Sequence, residues 1–377
     1  MKEQIYTNYR LQLPDREVLG TLVVRDNLIA DIQPEILSRG HNGQGEYLMP
    51  GLIELHTDNF ERCVSPRPGI RWPLEAAASY HDRDLVSAGV TTVCDAIAIG
   101  DSKPDSPRST LYRAMIETIV QGQQAGKFAC DHRLHLRCEL SYEQVHRVAA
   151  AYIDHPLLSL LSLMDHTPGQ RQFVKLEKYK EYYMGKHGVS QEQMELFIEE
   201  RQLHQQQYAP KNRQALVQLC RERHITLASH DDATVAHVHE ALQDEVAIAE
   251  FPTTLAAAQA AHANQLKVLI GAPNIVLGGS HSGNISAMEL LQQDLVHIIS
   301  SDYVPQSLLQ SLLVIARQLN KPFYQVMSLA TKIPAQAIGL TERGCLAVGK
   351  RADFVTFSSR QGIPRLTATV IQGKRVA

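Results

Sequence analysis

Apolar and polar positions follow two different patterns along this chain. In the middle, short apolar runs are separated by stretches with helical spacing, and most of the runs end in a polar or ionisable residue. These runs are GLIELHTD, GVTTVCDAIA, HRLHLRCEL, LLSLLSLMDH, ITLASHDD, VAIAEFP, KVLIGAPN and VHIISSDY. Strands that alternate with helices are typical of parallel βα units, and about eight of them predict a (β/α)8 TIM-like barrel of the α/β class.

Both ends of the chain show a different, β-rich pattern with frequent turn residues. The segments are IYTNYRLQL and EVLGTLVVRDNLIADI near the start, and GCLAVGKRADFVTFSS and ATVIQGKRV near the end. They predict a small β-sandwich domain built from residues 1–49 and 345–377. Residues 50–344 are then left for the barrel.

One connection, between His166 and the run ITLASH, is unusually long. It contains two helical patterns, KLEKYKEYYMGKHG and SQEQMELFIEERQLHQQQY, and Ser190 with Gln193 fits a capping box. These features predict a helical insertion at about residues 170–210. Two roles fit the pattern equally well: a lid over the substrate, and a solvated arm or oligomer contact.

Composition narrows the class of protein. The chain has 377 residues, with 37 Lys and Arg against 40 Asp and Glu and a net charge of −3. A near-neutral protein is not a general nucleic-acid binder. We expect no membrane partner, because the N-terminus has no apolar signal region and no run reaches the length of a membrane span. Six cysteines without a C-x-x-C pair predict reduced thiols and a cytoplasmic location.

Ionisable residues at the strand ends predict a metal site. Side chains alternate along a strand, so His56 and Asp58 point the same way. The adjacent Asp165 and His166 cannot both point inward, and His166 is favoured because neutral imidazole suits Zn²⁺. The predicted ligands are His56, Asp58, Glu139, His166, His230 and Asp302. The alternative is a set of paired charges in the core.

Several strings resemble a known family. PGLIELHTD and the closing GCLAVGKRADFV are similar to segments of the amidohydrolase superfamily. Longer strings, among them ELHTDN, SLMDHTPGQRQF, ASHDDAT and GAPNIVLGGSHSGN, resemble the α-D-ribose 1-methylphosphonate 5-triphosphate diphosphatases of phosphonate breakdown. In that family His-x-Asp is the usual form, so the resemblance implies an intact site. It also implies hydrolysis of the triphosphate substrate to the 5-phosphate and pyrophosphate.

The resemblance and the residues together imply roles for the site. We expect two divalent ions, taken to be Zn²⁺, with Glu139 bridging them and Asp302 as the general base. His281 lies in the Gly-rich loop GGSHSG after the seventh strand, where we expect it to bind phosphate or donate a proton to pyrophosphate. The expected substrate-binding residues are Ser280, Asn284, Arg137, Arg171 and Lys175.

Two other classes of function remain open from the sequence. A cyclic-amide hydrolase or deaminase could use the same fold. A non-catalytic scaffold that has lost its metals is the second alternative. The chain has neither a P-loop nor a G-x-S-x-G motif, which argues against a P-loop NTPase and a serine hydrolase. The expected partners are a phosphorylated ribose and a second copy of the chain in a homodimer.

Overall fold

A computed structural model of the protein describes residues 3–101, 106–171, 191–280 and 283–377. The chain divides into two compact units by its internal contacts. The first unit comprises residues 1–95, 118–133 and 270–377, and the second comprises residues 96–117 and 134–269.

The two ends of the chain combine in one mixed sheet, within the first unit. Its strands are β1 Glu3–Gln12, β2 Glu17–Arg25, β3 Leu28–Gln33, β4 His41–Asn42, β5 Tyr47–Pro50, β14 Phe354–Arg360, β15 Ile363–Ile371 and β16 Lys374–Arg375. The order is β16-β15-β14-β5-β1-β2-β3, and β4 pairs with β1. Leu22, Leu48 and Phe354 are fully buried in the core of this sheet. The predicted joining of the two chain ends is confirmed, while the domain boundaries at residues 49 and 345 stay predictions.

Eight parallel strands form the second sheet and follow one another in chain order. They are β6 Leu52–Thr57, β7 Val90–Ile99, β8 Asp131–Glu139, β9 Leu158–Met164, β10 Thr226–His230, β11 Ile248–Glu250, β12 Lys267–Gly271 and β13 Ile298–Ser300. Every residue of β7 is buried, as expected for a parallel strand covered on both faces. An isolated parallel bridge between Thr57 and Asp302 joins the first strand to the last. The predicted (β/α)8 barrel and all eight predicted strands are confirmed.

Helices connect most of these strands. They are α1 Asn59–Val64, α2 Leu74–Ser87, α3 Pro107–Thr110, α4 Tyr112–Gln124, α5 Val145–Tyr152, α6 Gln191–Arg223, α7 Val235–Gln243, α8 Leu255–Ala263, α9 Ala272–Leu277, α10 Ala287–Gln292, α11 Ser307–Gln318, α12 Phe323–Val326 and α13 Lys332–Ala337, with a 3-10 turn at Met327–Ala330. Two of them have threonine N-caps: the Thr234 hydroxyl accepts from the His237 N–H, and the Thr254 hydroxyl from the Ala257 N–H.

Helix α6 runs past residue 210, where the predicted insertion was expected to end. It is a single helix of 33 residues that leads to β10. Leu203 in its first half is 63% exposed, whereas Leu216 in its second half is fully buried. The second half is therefore a packed barrel helix, whereas the first half is mostly exposed but buries Met194 and Ile198. Ser190 and residues 172–190 lie outside the described residues, so the capping box and the lid stay predictions.

Two further properties bear on the environment of the protein. All six cysteines are free thiols. Within the described ranges, no helix has both the length and the hydropathy that a bilayer crossing requires. The cytoplasmic location and the homodimer remain predictions.

Candidate functional site

In the first unit, a buried carboxylate fixes the strand that carries His56. Glu54 lies two residues earlier on β6 and accepts hydrogen bonds from the His56 N–H at 2.7 Å and the Ser301 N–H at 2.6 Å. The Ser300 hydroxyl also donates to Glu54. Burial raises the pKa of Glu54 to about 6. Because these donors come from the first and last strands, Glu54 fixes the register between β6 and β13.

The same two strands place Asp58 close to the backbone of Asp302. The Thr57 hydroxyl donates to the Asp302 carbonyl at 2.6 Å, and the Asp58 N–H donates to the same oxygen at 3.3 Å. Asp302 adopts a left-handed φ of 55°, which turns the chain sharply after β13. Burial raises the pKa of the neighbouring Tyr303, and the charges of Asp302 and Asp58 raise it further. The charges of Asp58 and Asp302, the two predicted carboxylate ligands of this unit, therefore both influence Tyr303.

In the second unit, Glu139 at the end of β8 holds His166. The His166 Nδ1 lies 2.7 Å from a Glu139 carboxylate oxygen, and Ser141 donates to the other oxygen at 3.1 Å. Burial would raise the pKa of Glu139, but the hydrogen bond and charge of His166 keep the pKa below its usual value. Asp165 turns elsewhere and accepts from Gln205 at 3.0 Å. The imidazole, rather than Asp165, thus faces Glu139.

His230 at the end of β10 has a similar carboxylate partner. Its Nδ1 lies 3.3 Å from Glu250, the last residue of β11, and the Arg137 guanidinium donates to its Nε2 at 3.4 Å. Glu250 lies 3.8 Å from His135 as well. An imidazole that donates from Nδ1 to a carboxylate has its lone pair on Nε2, which is the usual arrangement around a metal ligand.

Asp231 is the site residue that sequence reasoning missed. Its carboxylate lies 3.5 Å from His230 Nε2 and 4.0 Å from His166 Nε2, so these three residues form a group that could hold a metal. In a regular strand Asp231 would point away from His230, but its φ of 56° breaks the alternation. Burial raises the pKa of Asp231 to about 6, although His166 and Arg137 oppose this shift. The signal in the sequence was the repeated Asp of ASHDDAT.

The donor set of the second unit fits a divalent ion such as Zn²⁺. It offers two imidazole Nε2 atoms and one carboxylate oxygen, all within 4.8 Å of one another. Glu139 and Glu250 contact the opposite nitrogens of the two rings. In this geometry Glu139 orients His166, and its role as a bridging ligand stays a prediction.

Arg171, predicted to bind substrate, is buried in ion pairs. Its guanidinium donates to Asp232, and to Glu240 at 2.6 Å. Glu240 also pairs with Arg213 at 3.0 Å. Arg171, Arg213 and Glu240 line a polar cavity of about 500 Å³ beside α6 and α7. Two carboxylates therefore neutralise Arg171, and its contact with phosphate stays a prediction.

The Gly-rich segment after β12 is partly helical. Helix α9 occupies its first half and ends at Gly278, whose φ of 79° suits glycine. Ser280 and Asn284 follow, and both are half-buried. His281 and Lys175 lie outside the described residues, so their roles stay predictions.

Comparison with known proteins identifies the class. Residues 162–377 match the amidohydrolase family. This match covers more than half of the chain, and the protein therefore belongs to the amidohydrolase family. It is 44% identical to the alpha-D-ribose 1-methylphosphonate 5-triphosphate diphosphatase of Escherichia coli strain K12, in an alignment that covers 99% of this chain and 100% of that protein. The resemblance seen in the sequence is confirmed.

Solved structures confirm the fold at much lower identity. The N-acetylglucosamine-6-phosphate deacetylase of Pasteurella multocida is 12% identical, with a TM-score of 0.66 and complete coverage of both chains. The 5-methylcytosine deaminase of Klebsiella pneumoniae is 13% identical, with a TM-score of 0.67 and coverage of 99% of this chain and 97% of that one. At such identities the likeness concerns the fold alone.

Proposed function

We propose that this protein is a metal-dependent hydrolase that cleaves α-D-ribose 1-methylphosphonate 5-triphosphate to α-D-ribose 1-methylphosphonate 5-phosphate and pyrophosphate. The observation that carries the proposal is the 44% identity to the Escherichia coli diphosphatase across 99% of the chain. The carboxylates and imidazoles at the ends of the parallel strands support it, because barrel enzymes place their chemistry there.

Two divalent ions, taken to be Zn²⁺, are the proposed cofactor. The proposed ligands are His56, Asp58, Glu139, His166, His230 and Asp302, with Asp231 added from the geometry of the second unit. When bound, such ions polarise a phosphoryl oxygen and lower the pKa of a water molecule. Glu139 and Glu250 hold the Nδ1 sides of His166 and His230, so that each ring has its lone pair on Nε2. An ion at His230 Nε2 would replace the hydrogen bond from Arg137.

Asp302 is the proposed general base. The Thr57 hydroxyl and the Asp58 N–H both donate to its backbone carbonyl, and these bonds fix the backbone from which the carboxylate extends. It accepts a proton from the attacking water as the water oxygen bonds to phosphorus. The bond from phosphorus to the leaving pyrophosphate breaks, and the same proton can then pass to that group.

The triphosphate needs cations beyond the metal site, and the loop after α1 supplies two. Arg67 and Arg71 are exposed, and their side chains have no ion pair among the residues that the structure describes. The loop is held by hydrogen bonds from the Ile70 N–H to the Arg67 carbonyl and from the Trp72 N–H to the Val64 carbonyl. Because it follows β6 at the carboxyl end, we propose that both arginines bind phosphate oxygens.

The reaction is tested by incubating the purified protein, loaded with Zn²⁺, with the ribose 5-triphosphate and following the products by ³¹P NMR. Pyrophosphate is expected, and orthophosphate as the first product would mean that a different anhydride bond is cut. Hydantoins and adenine are assayed in parallel. Turnover of these compounds without pyrophosphate release would replace the proposal with a cyclic-amide hydrolase or deaminase. No turnover and no bound metal would point to a scaffold.

The role of the arginine loop is tested with the double variant Arg67→Ala/Arg71→Ala. We expect the KM for the triphosphate to rise about tenfold or more with a smaller change in kcat, because charge-assisted contacts to phosphate are lost. Arg360→Ala, which removes an exposed arginine from β14, is the matched control and should leave both constants unchanged. Equal kinetics of the two variants would reject the phosphate role.

A further inference from the structure

A network of buried, hydrogen-bonded polar side chains begins at Asn59, the residue next to Asp58. Asn59, the first residue of α1, lies 3.0 Å from His81 Nδ1 on α2. The opposite nitrogen of His81, Nε2, lies 2.6 Å from Asp95 on β7. The other oxygen of Asp95 lies 2.8 Å from His132 Nδ1 on β8. All four side chains are inaccessible to solvent.

The far end of this network, at His132, is anchored to the backbone through Asp82. His132 Nε2 lies 3.4 Å from Asp82, one residue after His81 on α2. Asp82 also accepts from the Ala129 N–H at 3.0 Å and the Cys130 N–H at 2.9 Å. Both nitrogens of His132 face carboxylates, so this ring donates from both sides as an imidazolium.

The hydrogen bonds of Asn59 decide the tautomer of His81. The Asn59 side-chain oxygen accepts from the Arg62 guanidinium at 2.9 Å, so its amide nitrogen is the atom that faces His81. An amide nitrogen only donates, and His81 Nδ1 must therefore accept. The proton of the neutral ring is then on Nε2, which donates it to Asp95. Asn59 thus determines which nitrogen of His81 carries the proton, and that nitrogen donates to Asp95.

The same reasoning separates this group from a metal site. His81, Asp95 and His132 offer three ligand atoms within 4.8 Å of one another. However, a metal would need the lone pair of His81 Nε2, which carries a proton while Asn59 donates to Nδ1. The contacts of 2.6 and 2.8 Å to Asp95 are also hydrogen-bond distances.

Asn59 connects this network to the predicted ligands. The Thr57 hydroxyl, which donates to the Asp302 carbonyl, lies 3.3 Å from the Asn59 N–H. Asp58 is therefore fixed from both sides, by Asp302 on one and by Asn59 on the other.

We infer that Asn59, His81, Asp82, Asp95 and His132 form a positioning network that holds the Asp58 turn in the geometry needed to bind a divalent ion. This inference rests on the proposed function, because Asp58 is a ligand only if the protein binds metal. It assigns no contact with substrate to the five residues, which act through Asp58.

The inference is tested first with Asn59→Leu, which keeps the number and branching of the side-chain heavy atoms and deletes the hydrogen bonds. Zn²⁺ affinity, measured by competition with a chelator, should fall on the order of 10-fold, as for residues that orient metal ligands. kcat on the ribose 5-triphosphate should fall with it at limiting Zn²⁺, and excess Zn²⁺ should restore part of the loss. Asn59→Ala serves the same purpose if the leucine variant does not fold.

The matched control is Thr21→Val in the mixed sheet, which removes the hydrogen bonds of the Thr21 hydroxyl to the Glu35 carbonyl at 2.7 Å and to the Thr7 hydroxyl at 2.9 Å. This variant should lower the unfolding temperature and leave Zn²⁺ affinity unchanged. An Asn59→Leu protein that is destabilised like the control but keeps full Zn²⁺ affinity would overturn the inference, because the network would then serve folding only.

A second measurement does not depend on activity. ¹⁵N-histidine NMR, with His81→Phe to assign the resonance, should show the Nε2–H tautomer in the wild-type protein and a charged ring in Asn59→Asp. An Nδ1–H tautomer in the wild type would refute the network. If His132→Gln reduced the Zn²⁺ stoichiometry by one ion, the group would be a metal site instead. A wild type that neither binds Zn²⁺ nor releases pyrophosphate, yet shows the expected tautomer, would reject the proposed function and leave the network intact.

Discussion

At the scale of single residues, the adjacent Asp231 and Asp232 have opposite tasks. Asp231 faces two imidazoles in a group that fits a metal, while Asp232 pairs with Arg171 and accepts from Ser229 at 2.6 Å. We expect Asp231→Asn to weaken Zn²⁺ binding on the order of 10-fold or more with little loss of stability. Asp232→Asn should instead lower the free energy of unfolding by about 1–3 kcal/mol, because the buried charge of Arg171 loses a partner.

Zn²⁺ competition and urea unfolding of the two variants measure this contrast. Their identical chemical change and adjacent positions make each the control for the other. If Asp232→Asn were the variant that lost metal, the assignment of Asp231 as a ligand would be wrong.

His132 predicts a pH dependence of stability. Burial lowers its pKa, but Asp95 and Asp82 outweigh burial and raise the pKa from 6.5 to about 9. Because the pKa is higher in the folded state, the charged ring stabilises the folded protein fully below pH 6.5. This contribution is lost as the pH rises through about 9. The pKa of Asp95 shifts in the opposite direction. Burial raises it, but His132 and His81 outweigh burial and lower the pKa from 3.8 to about 2. The contribution of Asp95 to stability is therefore lost as the pH falls towards 2.

The urea midpoint of the wild type should therefore decline between pH 6.5 and about 9 more steeply than that of His132→Gln. The variant retains all other titrating groups and isolates the contribution of this ring. Parallel curves for the two proteins would show that His132 is not charged in the folded state.

At the scale of elements, α6 combines a mostly exposed first half with a packed second half. Leu216→Ala should lower the free energy of unfolding by about 2–5 kcal/mol, because a fully buried side chain leaves a cavity. Leu203→Ala removes the same atoms from a side chain that is 63% exposed and should change stability by less than about 0.5 kcal/mol. Chemical denaturation measures both, and a large effect at Leu203 would show that this side chain is covered in solution.

At the scale of the whole molecule, metal and folding should be linked. Removal of Zn²⁺ with a chelator should abolish pyrophosphate release and lower the unfolding temperature, because a ligand that binds only the folded state stabilises it by about 2.7 kcal/mol at a hundredfold excess over Kd. Calorimetry with and without Zn²⁺ measures the shift. Asp231→Asn should show a smaller shift, and an equal one would place the ion elsewhere.

The sequence by itself determined the fold and the family. All eight predicted strands formed, because apolar runs that alternate with helical segments favour a parallel sheet covered on both faces. Strand alternation also predicts that His56 and Asp58 share one face, because that face repeats every two residues. The strings around His56, His166 and His230 were long enough to identify the relatives before any geometry was known.

The tertiary structure decided what happens where strands end. The left-handed backbone at Asp231 turned a carboxylate toward His166 and His230, which a pattern of period two cannot express. Distant partners determined the environment of Arg171, which Asp232 and Glu240 neutralise. Side-chain partners at long sequence separation also created the network of Asn59, His81, Asp95 and His132. Local spacing predicts which face a residue occupies, whereas the protonation and pairing of a buried group depend on neighbours that only the folded chain brings together.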